Sequence, residues 1–123
     1  MATHNDTGKL GEQLAAEYFE KAGYTIVEKN WRYHRAEIDL IALLDKMLVF
    51  VEVKTRSGSL WKSPEESIDL RKRKLLFEAA DAFLQSFPDD FSARFDVFTV
   101  VVENNQHKIS HYPDALNPEL FEL

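Results

Sequence analysis

The chain of 123 residues contains no cysteine, which rules out a disulfide, a thiolate metal site and a cysteine nucleophile. Glycine and proline are scarce, four of each, so neither a glycine-rich phosphate loop nor a flexible linker is to be expected. No apolar run approaches the ~18 residues of a membrane span, and the opening "MATHNDTGKL" has no signal-peptide core. A soluble, cytoplasmic protein with no membrane partner is therefore expected. The length fits a single domain over residues 1–123, and the 45% hydrophobic content fits one buried core.

The net charge of −6 speaks against a generic nucleic-acid coat protein, but the charge is unevenly spread. Residues 54–74 are net +4, whereas the chain beyond them is net −7. A solvated charged surface explains such a cluster as readily as a binding face does.

Hydrophobic periodicity predicts an amphipathic helix from about Thr7 to Ala22, capped by Asp6 or Thr7 and ended by Gly23. Strands follow over about 24–31, 37–44 and 47–56, the last two joined by the short step Asp45-Lys46. A loop over 57–64 precedes a second helix, from Pro64 or Ser67 to about Phe87, with a buried stripe of Leu75, Leu76, Ala79, Ala80, Phe83 and Leu84. "RFDVFTVVVE" is apolar enough to be covered on both faces, and after Asn104-Asn105 "HKISHY" returns as an edge strand. The expected class is α/β: a mixed sheet with helices packed on it.

Charges interrupt the most apolar strand. In "VFVEVKTR", residues 49–56, Glu52 and Lys54 alternate with valines. A two-residue turn at Asp45-Lys46 would set Asp39 directly across from Glu52 and Glu37 across from Lys54, with Cβ atoms ~4.5–5.5 Å apart. Two acids that close, in an apolar sheet, require a shared proton or a cation between them. Lys54, ~6.6 Å along the same face, reaches the edge of the pair without neutralising both acids. Magnesium, which binds through one or two carboxylates, waters and phosphate, fits the remainder. The competing reading is a cross-strand charge ladder: Glu37 bridged to Lys54, with Asp39 and Glu52 on a solvated face.

"GEQLAAEYFEKAGYTIVEKNWR", "EIDLIA", "FVEVKTR" and "RFDVFTV" resemble, in order and over most of the chain, the YraN-like family of small bacterial proteins. That family is described as related to archaeal Holliday-junction resolvases within the PD-(D/E)XK nuclease superfamily. The resemblance implies a restriction-endonuclease-like core, α-β-β-β-α-β, and a Mg²⁺- or Mn²⁺-dependent endonuclease acting on DNA, branched or flapped DNA included, with a homodimer as a reasonable assembly. Carried onto this chain, the superfamily acid falls on Asp39 and its E-x-K pair on Glu52 and Lys54. The helical acid of the resolvase-like branch falls on Glu12, which serves equally as a favourable first-turn charge. Glu37 becomes a supporting partner of Lys54. Lys72 matches a lysine recurring before the family's second helix and ranks first among DNA contacts, ahead of Arg56, Lys62, Arg71, Lys74 and Arg35. A hydrated helix face is the alternative for "RKRK". The chain departs from the family pattern at Ala36, where glycine is common, and at Trp61-Lys62, where Phe-Gly is expected. A catalytically silent nucleic-acid-binding or protein-docking module on the same fold stays open beside the nuclease, as does a structural role in a larger complex.

Overall fold

The computed structural model describes residues 4–57 and 70–116. The expected contact Lys62, the loop around Trp61 and the proposed start of the second helix lie outside them. Seven elements follow in chain order: α1 (His4–Lys21), β1 (Thr25–Tyr33), β2 (Ala36–Leu44), β3 (Met47–Ser57), α2 (Leu70–Leu84), β4 (Ser92–Glu103) and β5 (Gln106–Tyr112). The five strands form one mixed sheet in sequential order, with β3 and β4 parallel and the other neighbours antiparallel. A parallel pair needs a crossover, and α2 lies within it.

The helix ends follow local chemistry. α1 runs through Asp6 and Thr7, so neither caps it as expected. Its other end closes as a Schellman motif: Gly23 N–H donates to Glu20 O at 3.0 Å and Tyr24 N–H to Phe19 O at 2.9 Å. Gly23 sits at φ 98°, which glycine adopts without a Cβ penalty, and the Tyr24 ring packs edge-on against Phe19. α2 stops at Leu84 rather than Phe87; the chain turns through Gln85–Phe87 ahead of Pro88.

The turns set the register. Leu44 pairs with Met47 around Asp45-Lys46, as the two-residue step requires, with Asp45 at φ 54°. Asn104 and Asn105 both have positive φ and join β4 to β5 in a two-residue hairpin.

The sheet has a core on each face. α1 covers one with Ala15, Ala16 and Phe19 over Leu40, Ala42, Val49, Val51, Phe98 and Val100. α2 covers the other with Leu76, Phe77, Ala79 and Ala80 over Ile38, Ile41, Leu48, Phe50, Phe95 and Val97. The expected stripes hold in part: Leu10 is exposed, whereas Phe77 and Arg73 are buried. Trp31 stacks on Tyr33 and meets Phe83, so it serves the core. The apolar β4 is buried on both faces, as its composition requires.

Candidate active site

The two acids sit where the sheet comes apart. The β2–β3 ladder runs from Leu44↔Met47 to Leu40↔Val51 and is not continued to Asp39 and Glu52, the next residues along. The β1–β2 ladder also skips Asp39: pairing passes from Lys29↔Leu40 to Trp31↔Ile38, and the intervening Asn30 lies at φ 50°. Strand β2 changes phase here. Ile38 and Ile41 both pack under α2, whereas strict alternation would place Ile38 with Leu40 on the α1 side. Simple alternation, which would put Glu37, Asp39 and Ile41 on one face, therefore does not hold through this part of β2. Asp39 turns toward β3, and its Oδ2 accepts a hydrogen bond from Val53 N–H at 2.8 Å. A side chain thus takes the place of a ladder carbonyl while the strands diverge.

Asp39 and Glu52 nonetheless line the same cleft, about 810 Å³ in volume, together with Glu12, Lys54, Arg56 and Lys72. Glu52 is 4% exposed. Its Oε1 lies 2.6 Å from Lys72 Nζ and 3.5 Å from Lys54 Nζ. Its Oε2 is buried without a hydrogen-bond partner among the described residues. A buried carboxylate oxygen left unpaired is costly and calls for a cation, a proton or water.

The electrostatics follow from this crowding. Burial, reinforced by the charges of Glu52 and Glu12, pushes the Asp39 carboxyl up to about 7, against the opposing pull of the Val53 N–H and Lys72. Burial lowers the Lys54 ammonium from its ordinary value, and Lys72 and Arg56 add to that effect, although Glu52 opposes it. Burial also works against charge on Lys72, but the charge and hydrogen bond of Glu52 outweigh it and hold this ammonium above its usual range.

Two features bring Glu12 to the rim. α1 approaches β3 so closely at Gly11 that an added Cβ would lie 2.1 Å from Thr55 Oγ1. Asn30 Nδ2 then donates to Glu12 Oε2 at 3.1 Å. Among the described residues, no three acidic or histidine side chains converge as a metal-ligand group. Asp39 and Glu52 share the cleft closely enough for the charge of Glu52 to act on Asp39, and Glu12 lines the same cleft, held by Asn30.

Other expected residues are placed differently. Glu37 does not face Lys54; with the β2–β3 ladder ended at Leu40, it pairs across β1 with Arg32 Nε at 3.0 Å. Lys72, first among the expected DNA contacts, instead donates its ammonium to Glu52 Oε1 and lines the cleft beside Asp39. Arg56 is exposed at the cleft, and Arg35 lines a smaller cavity of about 190 Å³ beside Asp39, Glu52 and Lys72. Arg71 and Lys74 are exposed on α2, with Lys74 beside a separate apolar groove between α2 and β4. Sequence reasoning missed Asn30, although asparagine is among the few residues that tolerate positive φ. It also missed the network around buried Asp96, noticed only as part of the "RFD" motif.

These observations define a mixed α/β domain whose central hairpin opens onto a cleft holding an acid pair and two lysines. The model of the uncharacterised protein family UPF0102 matches residues 11–100, and the chain belongs to that family. It is similar to UPF0102 proteins of Bacteroides thetaiotaomicron (46% identical, covering 98% of this chain and all of the relative) and Flavobacterium psychrophilum (44%, covering 94% and 97%). A further relative from Flavobacterium johnsoniae is 42% identical, again over 94% of this chain and 97% of its own.

Proposed function

We propose that this protein is a divalent-metal-dependent endonuclease of the restriction-endonuclease-like fold, hydrolysing phosphodiester bonds in DNA, with branched and flapped DNA among its candidate substrates. One observation supports the reading: Asp39 and Glu52 line one cleft at the end of a hairpin, and Glu52 keeps a buried oxygen without a partner among the described residues, beside two lysines. The donor set fits Mg²⁺ or Mn²⁺, which take oxygen ligands and leave positions for water and phosphate. Asp39 and Glu52 would hold the ion, which when bound lowers the pKa of water and stabilises charge on a phosphoryl oxygen.

The remaining work falls to this chain's own side chains. Lys54, half-buried beside Glu52, is placed to orient the attacking water and to donate to the phosphate oxygens as negative charge grows there. The water oxygen forms the new P–O bond, one ester P–O bond breaks, and a proton from water ends on the leaving oxygen. Lys72 balances Glu52 and contributes positive charge at the phosphate. Arg56, exposed at the cleft mouth, suits contact with the phosphate backbone, which gives affinity without sequence readout.

A second reading has its own observation. Lys72 already neutralises Glu52 Oε1 at 2.6 Å, as a purely structural ion cluster would. A silent DNA-binding or docking module on this fold would use the cluster in that way.

The deciding assay incubates pure protein with linear, flapped and four-way DNA in Mn²⁺, beside Asp39→Ala and a Glu52→Gln, Lys54→Ala double variant. Cleavage by the parent chain that both variants abolish is the expected result. Equal cleavage by parent and variants would assign the activity to a contaminant. No cleavage and no Mn²⁺ binding by the parent would favour the silent module.

A further inference from the structure

We propose that Asn30 is a positioning residue: its side-chain amide holds the Glu12 carboxylate at the rim of the cleft, where Glu12 acts on a divalent cation bound by Asp39 and Glu52. This rests on the metal-dependent reading above. Three independent features converge on Asn30. It occupies the gap in the β1–β2 ladder opposite Asp39, so both neighbours of the acid are released from regular pairing at one level. Its φ of 50° turns the backbone in a way that most side chains resist but asparagine accepts. Its Nδ2 donates to Glu12 Oε2 at 3.1 Å across to another element.

A glutamate on an exposed helix face ordinarily samples several rotamers. The amide selects those that keep the charge over the cleft. An amide can donate to a carboxylate while adding no charge of its own, so Glu12 is oriented without being neutralised. Close packing of Gly11 against Thr55 fixes the height of α1, and Asn30 fixes where the side chain points. Glu52 Oε2, buried without a partner among the described residues, marks the place where a cation is wanted, and Glu12, lining the same cleft, adds negative field there. Glu12 would act on a bound ion through a water or through space.

The test is a double-mutant cycle on Mn²⁺ affinity, read by calorimetry on the full chain, with thermal unfolding measured alongside. Asn30→Gly accommodates the positive φ and removes the side chain with its amide. It should weaken Mn²⁺ binding about tenfold, the low end for groups that orient a metal site without binding the ion, and leave Tm within about 5 °C. Glu12→Gln should cost the same factor, and the double variant should be no weaker than Glu12→Gln alone. Parental affinity in Asn30→Gly, or a loss that persists in full on top of Glu12→Gln, overturns the proposal. Parental affinity in Glu12→Gln overturns it alone, whatever Asn30→Gly does to folding. Asp39→Asn separates the two levels. If it abolishes binding while the Asn30 and Glu12 variants bind normally, only the positioning role fails. If the parent binds no Mn²⁺, or Asp39→Asn binds as the parent does, the metal reading fails and takes this inference with it.

Discussion

Asp96 has no exposed surface, yet it carries a full complement of donors. Arg94 grips it with Nε on Oδ1 and Nη2 on Oδ2, both at 2.8 Å, His111 Nε2 lies 2.6 Å from Oδ2, and the Asp114 N–H donates to Oδ1 at 2.9 Å. The network extends through Arg94 to Tyr24 and through His111 to Tyr18, tying β4, β5 and α1 together. Burial alone would raise the Asp96 carboxyl; the hydrogen bonds from His111, Arg94 and the Asp114 backbone outweigh it and hold the group below its ordinary value. A depressed acid stabilises the fold fully above its unfolded pKa, and that contribution is lost as pH falls through the folded value. Asp96→Ala, which strands the Arg94 charge, should cost about 3–5 kcal/mol in urea unfolding at pH 7. The stability gap between the parent and Asp96→Asn should narrow as pH falls below the ordinary aspartate pKa of 3.8, toward pH 3. A gap that stays constant to pH 3 would contradict the network.

At the scale of elements, α1 packs closely on β3. A Cβ on Gly11 would lie 2.1 Å from Thr55 Oγ1 and 3.3 Å from Val53 Cγ1. Gly11→Ala should therefore destabilise the protein by about 1–3 kcal/mol, the range for over-packing, and Thr55→Ala in the same chain should restore much of the loss by removing the nearest atom. Urea midpoints of the two variants check this; a double variant no more stable than Gly11→Ala would mean that α1 is repelled by something other than Thr55. Element order was legible in the sequence because each element carries its own period, and the turn residues Asp45, Asn104 and Asn105 mark where the hairpins close. The β2–β3 register followed from the two-residue turn and holds as far as Leu40↔Val51. Beyond that pair, alternation stops being a guide, because Asp39 takes Val53 N–H and the side chains of β2 change face between Ile38 and Leu40. The partners of Glu37 and Lys72 were illegible for a related reason. They depend on how β1 and α2 lie beside the opened hairpin, and local patterns carry no record of that.

Over the whole molecule, the electrostatics set a problem for any DNA-binding role. The chain carries a net charge of −6, and the cleft that would receive a phosphate is built around two acids. Lys54, Lys72 and Arg56 offset them locally, yet Lys54 and Lys72 are already engaged with Glu52. If a divalent cation supplies the missing charge, DNA affinity must depend on it in a way that monovalent salt cannot mimic, since monovalent salt screens attraction and repulsion alike. Neutralising the acids should then do part of the cation's work. An Asp39→Asn, Glu52→Gln variant should bind DNA several-fold more tightly than the parent in EDTA at a pH above 7, where Asp39 is ionised, because the acids' negative charge no longer faces the phosphate. Adding Mg²⁺ at constant ionic strength should tighten binding by the parent and leave the variant unchanged, so that the two affinities converge. Fluorescence anisotropy with a labelled four-way junction reads both effects. Equal affinities in EDTA, or an equal response to Mg²⁺, would show that DNA is held away from the Asp39–Glu52 cleft, and the exposed Arg56 and Arg71 would become the first residues to test as its contacts.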